Sequence, residues 1–153
     1  MASAGNSPSH LYERDYYAWL DDQVRALREH RIEDVDWENV AEEIDGLSKS
    51  EKHVIESHLA TIVEHLLKLV YARGIFRAYN AKGWRLTVKG ARRQVLKRLN
   101  QSPSLRPQLA EMLLDAYEDG RIEALRDRRL NEQILPKTSP WTVEQIMNDS
   151  FLP

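Results

Sequence analysis

The residues whose types and spacing could do chemistry lie between positions 42 and 98. From His65 to Ala110 the chain has no Asp or Glu, yet this stretch holds eleven of the 22 basic residues. Within it Arg73, Arg77, Lys82, Arg85, Lys89, Arg92, Arg93 and Lys97 interleave with Tyr71, Phe76, Tyr79 and Trp84. Placed on a helix, the cations from Lys82 to Lys97 share an arc of about 140°. Cations so spaced can neutralise phosphates while the rings stack on bases, so segment 73–98 is a candidate site for RNA or single-stranded DNA. The same charge would attract an acidic partner protein or an anionic membrane surface. Against this stands a plainer expectation. Residues 33–64 carry ten carboxylates against Lys49 and Lys52, and pairing between the two regions would leave ordinary solvated faces, each exposed pair being worth only ~0–1 kcal/mol.

His58 and His65 form a second constellation, seven residues apart and so on one helix face, about 10 Å from each other along the axis. They cannot share one metal ion. Each would need ligands from elsewhere, and Glu42, Glu43 and Asp45 are the nearest by type, so His58, His65 and Glu43 are remote metal candidates. The plainer reading is a pair of histidines hydrogen-bonded within the fold. Di-iron bundles use Glu-x-x-His, but Ile55 and Ile62 stand three before the two histidines. No His-Glu-x-x-His, Gly-x-Ser-x-Gly or glycine-rich phosphate loop occurs, and the six glycines stand apart. With no cysteine there is no thiol nucleophile or zinc finger. The pattern leans away from an enzyme, names no catalytic residue and calls for no cofactor.

These residues need elements to position them. The chain has 153 residues, 42% of them hydrophobic, with a formal net charge of −2; such a length buries a core without a staple. Residues 1–10 are small and polar and read as a disordered tail, with no apolar stretch of a secretory signal. Residues 11–153 read as one helical-bundle domain, because the apolar period is helical and nowhere alternates. Tyr16, Tyr17, Leu20, Val24 and Leu27 form an expected buried stripe on a helix over 15–31. Trp37, Val40, Ile44 and Leu47 repeat at 3, 4 and 3 on a short helix from Asp36 to Gly46. Ser48 and Glu51 have capping-box spacing and open a central helix over 50–73, apolar around more than half its girth. A loop is expected over 74–83. Trp84, Val88, Ala91, Val95 and Leu99 make a fourth helix over 84–100, and Leu105 to Tyr117 a fifth over 105–129 capped by Ser104. Thr142 and Gln145 open a short last helix over 142–149. Trp19, Trp37, Trp84 and Trp141, one per element, read as core plugs, although Trp19 lies off the stripe of its helix. The expected fold is all-α: a helical bundle with about four main helices and two short ones. No stretch approaches the ~20 apolar residues of a membrane helix, which points to a soluble, cytoplasmic protein.

Several segments resemble a known family. Leu11-Tyr12-Glu13-Arg14-Asp15-Tyr16-Tyr17-Ala18-Trp19-Leu20, Glu42-Glu43-Ile44, His65-Leu66-Leu67-Lys68 and Gly83-Trp84-Arg85 are similar to its motifs. So are Ser102-Pro103-Ser104-Leu105-Arg106-Pro107, Ala116-Tyr117-Glu118-Asp119 and Pro140-Trp141-Thr142. Together they resemble the bacterial family catalogued as domain of unknown function 29. Leu69 stands where that family has tryptophan, and Gly83 where it has serine. The resemblance implies a helical bundle and supplies no functional residue.

The leading expectation is a non-enzymatic protein-interaction or adaptor module, with a protein partner or self-association. Nucleic-acid binding through 73–98 is the alternative, and a metal site at His58 and His65 is a remote third. The exposure of the basic face decides between the first two and neutralisation within the fold.

Overall fold

A computed structural model describes residues 8–127 and 129–153. Every regular element among them is helical, so the fold is all-α. The helices are α1 (Pro8–Arg14), α2 (Tyr16–Arg28), α3 (Trp37–Tyr71), α4 (Gly74–Gln101), α5 (Leu109–Leu125) and α6 (Val143–Met147), with 3₁₀ turns at Ile32–Asp34 and Pro103–Gln108. The expected tail falls partly inside α1, since helix begins at Pro8; residues 1–7 lie outside the described residues. The chain divides into two compact units, Met1–Ser50 and Glu51–Pro153.

In the first unit Asp15 caps α2 by accepting the Ala18 amide at 3.0 Å, satisfying one of the orphan donors of the first turn. Its last turn carries Arg25 and Arg28, favourable against the helix dipole. His30, at φ 57, reverses the chain. Asp36 caps α3 through the Asn39 amide at 3.5 Å and accepts the Trp19 indole N–H at 3.3 Å. Which face of α2 is buried differs from expectation. Trp19, Gln23 and Ala26 are inside, whereas Tyr16, Tyr17, Val24 and Leu27 are exposed, as are Trp37, Ile44 and Leu47 on α3. The reason is polar: Gln23 is buried because it donates to the Asp34 carbonyl and accepts the Asp36 amide at 2.7 Å. These bonds turn α2 so that Trp19 faces inward. Trp37, expected as a core plug, is on the surface.

The helix expected to stop at Gly46 and restart at Ser48 is continuous. One helical glycine costs only ~1 kcal/mol relative to alanine, and the Asp45–Lys49 ion pair at 2.7 Å spans the junction. A break comes only at Tyr71–Gly74, where Arg73 is extended and Gly74 takes φ 64, a left-handed conformation suited to glycine. The expected loop over 74–83 is the first third of α4. It contains no proline, and Asn80 bonds back to the Phe76 carbonyl at 2.8 Å, so Gly83 alone does not interrupt it.

The second unit is a helical bundle. Ile55, Leu59, Ile62, Val63, Leu66 and Leu69 of α3 meet Trp84, Val88, Val95 and Leu99 of α4 and Leu109, Met112, Leu113 and Ala116 of α5, all buried. These are the stripes the period marks. At Gly120 a Cβ would lie 2.5 Å from the Ala60 carbonyl oxygen and 2.8 Å from Val63 Cβ, so the missing side chain lets α5 approach α3 closely. Pro103–Gln108 forms the 3₁₀ turn rather than a Ser104-capped start of α5, with Pro107 inside it. Thr142 and Gln145 form the expected capping box.

Candidate interaction surface

Helix α4 has no acidic residue in its 28 positions, and its cations have two different fates. Arg92 is fully buried. Its Nε donates to the Ile146 carbonyl at 2.6 Å and its Nη2 to the Phe151 carbonyl at 2.8 Å, which holds the C-terminal segment on α4. Burial pushes its guanidinium below the ordinary value, partly offset by Asp149. Arg77 donates to the Leu69 carbonyl at 2.7 Å across the α3–α4 corner, and Arg73 to Val70 at 3.2 Å. Arg85 reaches the Pro153 carbonyl at 3.4 Å, and Arg98 pairs with Glu51 at 3.0 Å. These arginines serve the fold.

Lys82, Lys89, Arg93 and Lys97 are exposed, and none of them enters an ion pair among the described residues. Within the second unit, of Glu51, Glu56 and Glu64, Glu51 alone pairs with a cation of α4 among the described residues. Apolar residues stand between the free cations. Ile75 is 88% exposed, Tyr79 86% and Leu86 61%. The series Ile75, Tyr79, Lys82, Leu86, Lys89, Arg93 advances by 4, 3, 4, 3 and 4, so it forms one nearly straight seam about 27 Å long. Leu86, Lys89 and Arg93 also border a shallow depression of about 320 Å³ with Asp149 on its rim.

Trp84 and Phe76 do not join this seam. Trp84 is buried and meets the Phe76 ring edge-on at 5.3 Å, while the Arg129 guanidinium lies 3.9 Å over Phe76. Of the rings flanking the basic segment, Tyr79 stands free. Ile75 and Leu86 were not among the candidates, because their spacing forms a series only once the helix starts at Gly74.

The remaining candidates separate. His65 Nδ1 donates to the Thr61 carbonyl at 2.9 Å. Burial, with the Arg98 charge, lowers the pKa of His58. Glu43 lies in the first unit, where its two oxygens accept the Tyr12 and Tyr16 hydroxyls, each at 2.7 Å. These bonds hold the Glu43 carboxyl below its usual range and push the Tyr12 phenol up to about 12. Among the described residues no three His, Asp or Glu side chains come together to hold a metal ion, and no helix is long and apolar enough to cross a membrane.

No curated protein and no solved structure matches this chain. A family model does match, over residues 11–152, and the chain therefore belongs to the family described as Domain of unknown function DUF29.

Proposed function

We propose that the chain is a non-enzymatic interaction module that binds an acidic, amphipathic helix of a protein partner along the exposed seam of α4. The observation that carries this reading is the 4-3-4-3-4 series from Ile75 to Arg93. A seam of that period suits a helix packed alongside it. Its exposed apolar members supply contact area, while Lys82, Lys89 and Arg93 select carboxylates and steer the encounter. On this reading the module works in a bacterial cytoplasm, a setting that a cysteine-free chain suits.

A second reading, single-stranded nucleic acid on the same face, is favoured by exposed Lys89, Arg93 and Lys97 on the helix that also carries exposed Tyr79. It is weaker because stacking needs several free rings, and Phe76 and Trp84 are packed against each other.

Fluorescence anisotropy with two labelled probes separates the readings: a designed helical peptide with a leucine face flanked by glutamates, and a short oligothymidylate, each at low and moderate salt. The peptide is expected to bind saturably and to weaken about tenfold or more in Lys89→Glu/Arg93→Glu, since each reversed charge is worth on the order of 1 kcal/mol. Binding of the oligonucleotide alone makes the second reading the right one. Binding of neither overturns the module.

A further inference from the structure

The first unit has a surface that the α4 reading does not use. Its helices α2 and α3 run antiparallel. Tyr16, near the start of α2, reaches Glu43, while Gln23, further along, bonds the Asp36 amide at the start of α3. The contact line between them runs through Trp19, Gln23 and Ala26 on one side and Asp36, Asn39 and Glu43 on the other, these six being buried or half-buried. Going round each helix by about 80–100° in the sense of increasing residue angle leads to its apolar stripe. On α2 this is Leu20, Val24 and Leu27, with the two tyrosines at the end; on α3 it is Trp37, Val40, Ile44 and Leu47. In an antiparallel pair, equal rotation places both stripes on the same side. The unit therefore has one continuous apolar face made of two helices.

That face is open. Trp37 is 55% exposed, Ile44 62%, Leu47 68% and Tyr17 77%. Isolated apolar residues on a surface need no explanation, but a contiguous set does. Taking ~150–250 Å² for a large side chain, the exposed parts of the two stripes amount to on the order of 700 Å². A stable interface takes about 800 Å² from each partner.

We propose that this face is covered by the same face of a second copy of the chain. Two such pairs, stacked apolar side to apolar side, complete a four-helix bundle with an isologous two-fold interface. Both rims mix charges of either sign, which suits a second copy better than a partner of one charge. Beside Val24 the α2 rim carries Arg25 and Arg28 against Asp21 and Glu29, side chains that line one shallow depression with Val24. The α3 rim carries Glu38 and Asp45 against Lys49, which pairs with Asp45. The α2 rim is balanced in sign, and the α3 rim keeps one net negative charge. A two-fold axis along the helices lays α3 of each copy over α2 of the other and keeps the two net negative α3 rims apart, whereas the perpendicular axis sets α3 on α3. This inference does not rest on the α4 seam, and either can fail without the other.

Light scattering on a size-exclusion column, with the full chain over a wide concentration range, tests it. The expected result is a dimer that Ile44→Asp and, separately, Leu47→Glu convert to monomer, with unchanged far-ultraviolet circular dichroism; both side chains point to solvent in the single chain, so it folds without them. Lys89→Glu/Arg93→Glu is expected to remain dimeric. A wild-type monomer at every concentration overturns the proposal, and so does a dimer that both first-unit variants leave intact.

Discussion

The Nε of Arg92 lies 2.6 Å from the carbonyl oxygen of Ile146, 54 positions further along the chain. With the bond from its Nη2 to Phe151, this makes one buried guanidinium the peg on which the C-terminal segment hangs. The third nitrogen, Nη1, is buried without a partner among the described residues, so the peg works at the expense of an unpaired group.

Arg92→Ala removes two charge-assisted bonds and leaves two carbonyls to find water. It should lower unfolding free energy by about 2–4 kcal/mol, from the size of such bonds and the volume lost. Its neighbour Arg93, 100° further round and exposed, should cost under ~0.5 kcal/mol when changed to alanine. Urea unfolding of the two variants checks the contrast, and equal midpoints would refute it.

Glycine substitutions should have opposite signs at two places in the second unit. Gly120→Ala forces backbone apart, since the Ala60 carbonyl cannot rotate away, and should destabilise by about 1–3 kcal/mol. Gly90→Ala meets nothing within 4 Å and should stabilise by about 0.5–1 kcal/mol through the unfolded chain. Both are read from urea midpoints.

Tyrosine ionisation should be split. Tyr12, bonded to the Glu43 carboxylate, and Tyr117, buried with its hydroxyl on the Pro136 carbonyl at 2.8 Å, are both pushed up to about 12. A phenol whose folded pKa is raised contributes stability that is fully present below its ordinary value of 10 and lost as pH rises through about 12. Phenolate absorbance should therefore show a late phase at high pH that Tyr12→Phe and Tyr117→Phe each diminish.

Glu43 works at the other end of the pH scale. Its carboxyl is lowered by the two tyrosine bonds, so its contribution is present above the ordinary carboxylate range and lost as pH falls through the depressed value. Glu43→Gln should flatten the acid limb of the melting temperature against pH; an unchanged limb would show that the two hydroxyl bonds do not matter to the fold.

Helix class and the core of the second unit were legible in the sequence because one repeated signal decides both. Val88, Ala91, Val95 and Leu99, or Leu109, Met112, Leu113 and Ala116, admit a single buried face. Less legible were places where weak local signals met a continuing helix, as at Gly46, Ser48 and Gly83, where the cost of one glycine is smaller than that of ending a ladder of hydrogen bonds. The buried face of α2 was not legible at all, since it depends on Gln23 bonding two backbone groups beyond the helix. The basic segment divides for a similar reason. Arg92 and Arg93 are adjacent and alike in type, and only the position of residues 146–151 decides that one holds the fold and the other faces outward.

The most direct test of the account is the acidic helical peptide titrated against the wild type and a variant with Lys82, Lys89, Arg93 and Lys97 all changed to Gln. The account predicts salt-sensitive, saturable binding by the wild type and its loss in the variant, with a urea midpoint close to that of the wild type. Undiminished binding by the variant, or a variant that no longer folds, would contradict the assignment of these four side chains to an outward-facing surface.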